Sequence, residues 1–253
     1  MQLYTSASGT RLFGLENVGD NVNDSLIATA EQSPPFTPAK VRVLLLRRNA
    51  AASLQVVQRA SLNEIENGWT SFAHWPEGNL FCAVFGSSSL HKLCRSQGAS
   101  ETPFDNTPRV HRLPAKVTTI CGLQSNGECR LAASFSDNTL RVFHVACATL
   151  CELQRVPQPD ANFWVPRTLL ALPGGSLILG SEFREACNIK TRYGIECCAA
   201  QQNDSLVTAK RLHVTDNNFN LIGLIPATND YSTLRIAAFD YTKGAVDIYP
   251  LKN

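Results

Sequence analysis

KVRVLLLRRNAAASLQVVQRASLNEIENGW, residues 40–69, opens on an apolar run, Val41, Val43, Leu44, Leu45 and Leu46. The small residues Asn49, Ala50, Ala51 and Ala52 interrupt it, and a second run follows with Leu54, Val56 and Val57. Two β-runs joined by a short turn read as a hairpin. The first of these runs, KVRVLLL, has relatives along the chain: NLFCAVF from Asn79, CRLAASF from Cys129, SLILGSE from Ser176 and TLRIAAF from Thr233. With KVRVLLL from Lys40, their starts are spaced 39, 50, 47 and 57 residues apart, and QLYTSAS at the beginning would be a sixth member. A unit of roughly 40–50 residues holding about four antiparallel strands has the spacing of a propeller blade. Strands covered on both faces lose their alternation, which accounts for runs that are almost wholly apolar.

The intervening stretches fit this reading. Turn signals fall at Ser125-Asn126-Gly127, Ser136-Asp137-Asn138, Pro173-Gly174-Gly175, Thr228-Asn229-Asp230 and Thr242-Lys243-Gly244. SPPFTP is a proline-rich break, and residues 97–108 (QGASETPFDNTP) read as an exposed loop. No stretch carries a sustained helical period. The expected architecture is all-β: residues 1–253 as a single β-propeller domain, with six sheets. The chain would open with three strands of one blade, continue through four fuller units and close with three strands.

Bulk properties narrow the function. Of the 253 residues 44% are hydrophobic and 17% charged, so the chain can bury a core and is not a disordered segment. A net charge of +2 gives no broad electrostatic footprint for nucleic acid or an anionic membrane, and neither is expected as a partner. No window approaches the roughly 18–20 apolar residues needed to span a bilayer. The opening MQLYTSASGTRLFG lacks the basic and apolar regions of a signal peptide. The nine cysteines are an odd number, several inside apolar runs (Cys82, Cys94, Cys121, Cys129), which points to reduced thiols and the cytoplasm.

Candidate chemistry is sparse. Cys147-x3-Cys151 and Cys197-Cys198 lack the partner spacing of zinc sites, so no metal and no cofactor is expected. His144, in RVFHVA, alternates with apolar residues, as a structural histidine or one facing a central channel would. There is no G-x-S-x-G, P-loop or G-x-G-x-x-G signature. Arginines stand in three apolar runs, at Arg42, Arg130 and Arg235, and a buried arginine needs an acceptor. Gln55 follows Arg42 by thirteen residues and Asp247 follows Arg235 by twelve, each on the neighbouring strand of its hairpin. A guanidinium held by an acceptor can fix hydroxyl groups in defined geometry; the competing role is a structural salt bridge.

SLIATAEQ with KVRVLLLRRNAAASLQVVQR and NGW, and LIGLIPATNDYSTLRIAAFDYTKGAVDI, resemble blades of the fungal fucose-specific lectins. The resemblance covers about half of the chain. It implies a six-bladed propeller in which a strand arginine, an acid on the next strand and an aromatic platform hold fucose between blades. Arg42, Gln55 and Trp69 match that set, with Gln55 in place of the acid. Arg235 and Asp247 match a second pair with no platform after them, and Val142 stands where Arg130 would need its acid. With 3 Trp and 5 Tyr, platforms for several sites are lacking, and Trp75 and Trp164 read equally as core residues beside turns.

Three functions follow. The leading one is a lectin-like propeller binding a sugar or similar small polyhydroxylated ligand. The second is a cofactor-independent enzyme of the cyclase, lyase or isomerase type, by analogy of fold with propellers of fungal secondary metabolism. The third is a protein-interaction scaffold.

Overall fold

The computed structural model describes residues 11–18, 26–32, 41–48, 54–62, 70–75, 78–96, 103–125, 128–145, 150–156, 163–184, 190–201, 203, 205–226 and 234–250. All regular structure among them is β. Sheet 1 holds β1 (Arg11–Asn17), β2 (Leu26–Gln32), β3 (Val41–Arg48) and β4 (Leu54–Ser61), in that order. Sheet 2 holds β5 (Thr70–His74), β6 (Leu80–Val84), β7 (Ser89–Leu93) and β8 (Arg109–Arg112). Sheet 3 holds β9 (Val117–Ser125), β10 (Glu128–Phe135), β11 (Leu140–Val145) and β12 (Leu150–Val156). Sheet 4 holds β13 (Phe163–Ala171), β14 (Leu177–Arg184), β15 (Arg192–Cys198) and β16 (Lys210–Thr215). Sheet 5 has three strands, β17 (Phe219–Pro226), β18 (Leu234–Asp240) and β19 (Ala245–Pro250).

Sequential neighbours pair throughout, antiparallel as in β1–β2, β6–β7 and β14–β15, so each sheet is a meander. The described residues form five such sheets, where the sequence suggested six. The expected opening strand QLYTSAS lies outside the described residues, and so does Trp69.

The strand that served as the template of the repeat is also out of phase with its relatives. NLFCAVF, CRLAASF, SLILGSE and TLRIAAF become β6, β10, β14 and β18, the second strands of their sheets. KVRVLLL becomes β3, a third strand. The true second strand of sheet 1 is β2, whose LIATAEQ is less hydrophobic. Second and third strands are both covered on their two faces, so apolar content alone cannot tell them apart. All five residues of β6 are buried, for instance, and Val43 to Leu46 of β3 likewise.

The chain divides into two compact units, residues 1–122 with 146–150, and residues 123–145 with 151–253, the boundary falling within β9. In unit 1 the core gathers Leu26, Ala28, Val43, Leu45, Leu80, Cys82, Val84 and Phe104. In unit 2 a cluster of Ile178, Ile195, Phe219, Leu221, Ile236 and Ala238 fills the space between sheets 4 and 5. Each large apolar side chain so buried contributes roughly 1.5–3 kcal/mol. Turn chemistry agrees with the sequence. Gly174 and Gly175 both have φ of 83°, and Asn138 has φ of 62°, the left-handed region that these residues tolerate.

Two side-chain contacts recur between the units. In unit 1 the amide of Gln58 on β4 accepts from the Phe104 N–H at 3.1 Å and donates to the Phe104 carbonyl. In unit 2 Gln154 on β12 accepts from the Leu206 N–H at 2.8 Å and donates to its carbonyl at 2.6 Å. Phe104 and Leu206 each sit in an isolated β-bridge, to Arg95 and Ala200, so the glutamine satisfies backbone groups that no ladder reaches. Likewise Ser71 Oγ on β5 accepts from Ile120 N–H of β9 at 3.1 Å, and Thr168 Oγ1 on β13 accepts from Leu221 N–H of β17 at 3.3 Å. Gln58 and Gln154 are 96 residues apart and Ser71 and Thr168 are 97 apart, a repeat spanning two sheets.

A candidate ligand pocket in unit 2

The residues singled out in the sequence do not assemble as expected. On β3 Arg42 is exposed and faces Ser61 of β4, whereas Gln55 faces Arg47. Five residues of strand, about 16 Å, therefore separate Arg42 from Gln55 along the ladder. The acid opposite Arg42 is Glu31, on the preceding strand rather than the following one. Arg235 faces Pro250, and Asp247 faces Ala238, three residues along β18 and so on the opposite face of the sheet. Arg130 faces His144, not Val142, and bonds Glu128 on its own strand at 3.1 Å. Trp75 and Trp164 are core residues, 4% and 1% exposed.

Cys82, Cys94, Cys121, Cys129, Cys151, Cys197 and Cys198 are free thiols. Burial pushes the Cys197 thiol up; burial, then the neighbouring Cys197 and Glu196, push that of Cys198 up to about 12. Neither supplies a thiolate near neutrality. Cys147 lies outside the described residues, and no group of three potential metal ligands exists among those described.

A pocket of about 250 Å³ opens elsewhere, between β15–β16 of sheet 4 and β18–β19 of sheet 5. Ile195, Leu212, His213, Ile236, Tyr249 and Pro250 line it. Its geometry depends on a β-bulge. Ile195 faces His213 and Glu196 faces Arg211, which leaves Leu212 with no residue opposite. In a regular strand Leu212 and His213 would point to opposite faces; the bulge turns both into the pocket. Leu212 is 41% exposed and forms the mouth.

Across the pocket the His213 and Tyr249 rings lie 4.6 Å apart between centroids, tilted by 43°. Tyr249 Oη lies 3.5 Å from Asp247 Oδ2, and Lys243 Nζ donates to the same carboxylate oxygen at 2.7 Å. Lys243 also pairs with Asp240 at 3.4 Å. Asp240 closes the turn between β18 and β19: its carboxylate accepts from the Thr242 and Lys243 amides at 2.8 and 3.1 Å and from Asn217 Nδ2 at 2.8 Å. Burial pushes the Asp240 carboxyl up, but these hydrogen bonds, that from the Lys243 amide foremost, outweigh it and hold its pKa below the ordinary value. Burial first, and then the negative charge of Asp247, push the Tyr249 phenol up. Tyr249 is thus a protonated phenol at neutral pH, its hydroxyl directed at Asp247, in a wall otherwise made of aliphatic side chains and His213.

Behind the pocket a second polar cluster fixes β15. Glu196, fully buried, accepts from Trp164 Nε1 at 2.7 Å and from Arg211 Nε at 3.2 Å, and the Arg211 guanidinium lies 3.7 Å from the centroid of the Phe183 ring. Its place one residue beyond Ile195 makes it a support for the pocket floor. The sequence carried a faint signal of this site, apolar RLHVT ahead of FNLIG, but a bulge leaves no trace in composition.

No protein-family model matches the chain, and no curated protein matches it. Solved structures do. Mala s 1, the major allergen of Malassezia sympodialis, aligns at a TM-score of 0.57 with 12% identity, over 96% of this chain and 77% of its own. Sqt1 of Chaetomium thermophilum aligns at 0.55 with 11% identity, over 94% and 71%. A putative 6-phosphogluconolactonase of Bacteroides uniformis aligns at 0.51 with 12% identity, over 90% and 68%. The fold is a β-propeller. At these identities the likeness extends to fold and no further, and the lectin resemblance rests on the sequence segments alone. No helix among the described residues is long and apolar enough to cross a membrane.

Proposed function

We propose that this β-propeller binds a small, single-ring ligand with one apolar face and at least one hydroxyl group, in the pocket between β16 and β19. The carrying observation is the bulge at Leu212, which aims two consecutive side chains into one cavity. Bulges recur beside functional sites because they re-aim side chains in this way. About 250 Å³ lies just below the common range of ligand pockets, roughly 300–1,000 Å³, which favours a ligand of monosaccharide size. Aliphatic walls with an aromatic pair and one phenol suit a deoxy sugar better than a fully hydroxylated one. That keeps the lectin-like reading but moves its site: Asp247 acts through Tyr249 instead of Arg235. The raised phenol stays protonated, with its O–H toward Asp247 and its oxygen lone pairs open to a ligand hydroxyl, which suits binding. The free thiols of both units suit a reducing compartment, the cytoplasm.

Saturation-transfer NMR and calorimetry against fucose, other deoxy sugars, hexoses and small cyclic alcohols test this reading. Saturable binding by the wild type, weakened about tenfold or more in Tyr249→Phe through loss of one buried hydrogen bond, supports it. Absence of binding to every one of these ligands, or affinity unchanged in both Tyr249→Phe and His213→Ala, refutes it.

A further inference from the structure

Sheet 5 is the only described sheet that ends at its third strand, and that strand is unlike the other third strands. In β3, β7, β11 and β15 the middle of the strand is buried. None of the six residues of β19 is buried; Val246 is 52% exposed and Ile248 45%. Neither lines the pocket, and by the alternation of the strand both project from the face opposite Tyr249.

The last strands of the other sheets look like managed edges. β4 exposes Arg59, β8 exposes Arg109 and Arg112, β12 exposes Glu152 and Arg155, and β16 exposes Lys210. Charged side chains on an edge discourage further pairing. β19, AVDIYP, has no lysine or arginine, and its one charge, Asp247, is neutralised by Lys243 of the adjoining turn. Among the described residues it ends its sheet, with the sequence of a covered strand and only Pro250 as an edge-blunting residue.

We infer that β19 pairs edge to edge with β19 of a second copy of this chain. A two-fold axis perpendicular to the sheet requires an antiparallel pairing of like faces. Centring it on Asp247 would oppose two carboxylates, which is unfavourable. Centring it on Ile248 sets Ile248 against its own copy, Val246 against Pro250, and Asp247 against Tyr249. Apolar groups then meet apolar groups, and a carboxylate meets a phenol donor. The resulting sheet has six described strands, three from each copy, and the exposed Val246 and Ile248 gain apolar cross-strand neighbours.

Sedimentation velocity across a wide concentration range, with hydrogen exchange of the β19 amides read at each concentration, tests this inference. A concentration-dependent dimer is expected, with protection of the residues 245–250 amides rising as it forms. Ile248→Lys and Val246→Lys, both at exposed positions outside the pocket lining, should each weaken the dimer tenfold or more while leaving the thermal midpoint of the monomer unchanged. A monomer at all concentrations overturns the inference. So does a monomer whose β19 amides are already protected, since another segment of the same chain would then cover the edge, and so does a dimer indifferent to both lysines. The readouts need no ligand, so they are separate from the test of the pocket.

Discussion

Replacing Gln154 with methionine keeps the length of the side chain and removes both hydrogen bonds to Leu206, at 2.6 and 2.8 Å. Leu206 is 3% exposed, and its only ladder contact is the single bridge to Ala200, so neither of its stranded backbone groups reaches water without local opening. A net hydrogen bond contributes about 0.5–1.5 kcal/mol, and each buried group left unpaired costs about 1–3 kcal/mol. Gln154 is half-buried, which allows partial rescue by solvent, and the expected loss is about 3 kcal/mol. Hydrogen exchange of the Leu206 amide reads this directly, because about 3 kcal/mol is roughly a hundredfold in protection. Urea unfolding provides the global figure. Gln154→Glu sharpens the test: its carboxylate still accepts from the Leu206 N–H but repels the Leu206 carbonyl, so it should be destabilising at neutral pH. It should recover in acid, where the protonated carboxyl can donate. A Gln154→Met variant within about 0.5 kcal/mol of wild type, or a Gln154→Glu variant as stable as wild type at neutral pH, would refute the claim that this amide substitutes for a missing ladder.

Three further outcomes are expected. Glu196→Ala removes the buried carboxylate that Arg211 and the Trp164 indole both bond, and should cost about 3 kcal/mol of unit 2 stability, seen as a lower urea midpoint together with a changed Trp164 emission. Burial pushes the Glu16 carboxyl up from an ordinary 4.5 to about 7. The folded state therefore keeps its proton longer than the unfolded chain, stability falls as pH rises from about 4.5 to 7, and Glu16→Gln should recover at most about 3 kcal/mol at pH 8 and nothing at pH 4; a flat pH difference between the two proteins would show the carboxyl to be solvated. Gly180→Ala would drive a methyl against Thr168 Oγ1 and set it 3.1 Å from Leu221 and 3.4 Å from Phe219, costing about 1–3 kcal/mol and loosening the Thr168 bond to β17, measurable as faster exchange of the Leu221 amide.

Part of the two-sheet repeat was written in the chain. LQVVQR at residues 54–59 and LCELQR at 150–155 share Leu, Gln and Arg at the same positions, and the glutamines are the ones that clasp Phe104 and Leu206. The pattern is short, and the repeat of apolar runs does not register it. Taking β3 for a second strand has the same origin. The pocket had no comparable signal, since His213, Tyr249 and Asp247 are unremarkable singly and lie on strands of different sheets.

The sequence by itself determined which segments are strands, where most turns fall, that the architecture is all-β, and that it repeats at blade length. Those follow from local chemistry: apolar β-branched runs, glycine and asparagine at positive φ, and the absence of a helical period. Only the tertiary structure decided the ladder register, and with it the partners of Arg42, Gln55, Arg235 and Asp247. A strand buried on both faces has no alternation to pin its register. One bulge, as at Leu212, then moves every later residue by a place. Which side chains meet across sheets is set by those slips and by packing, and KVRVLLL carries no record of them.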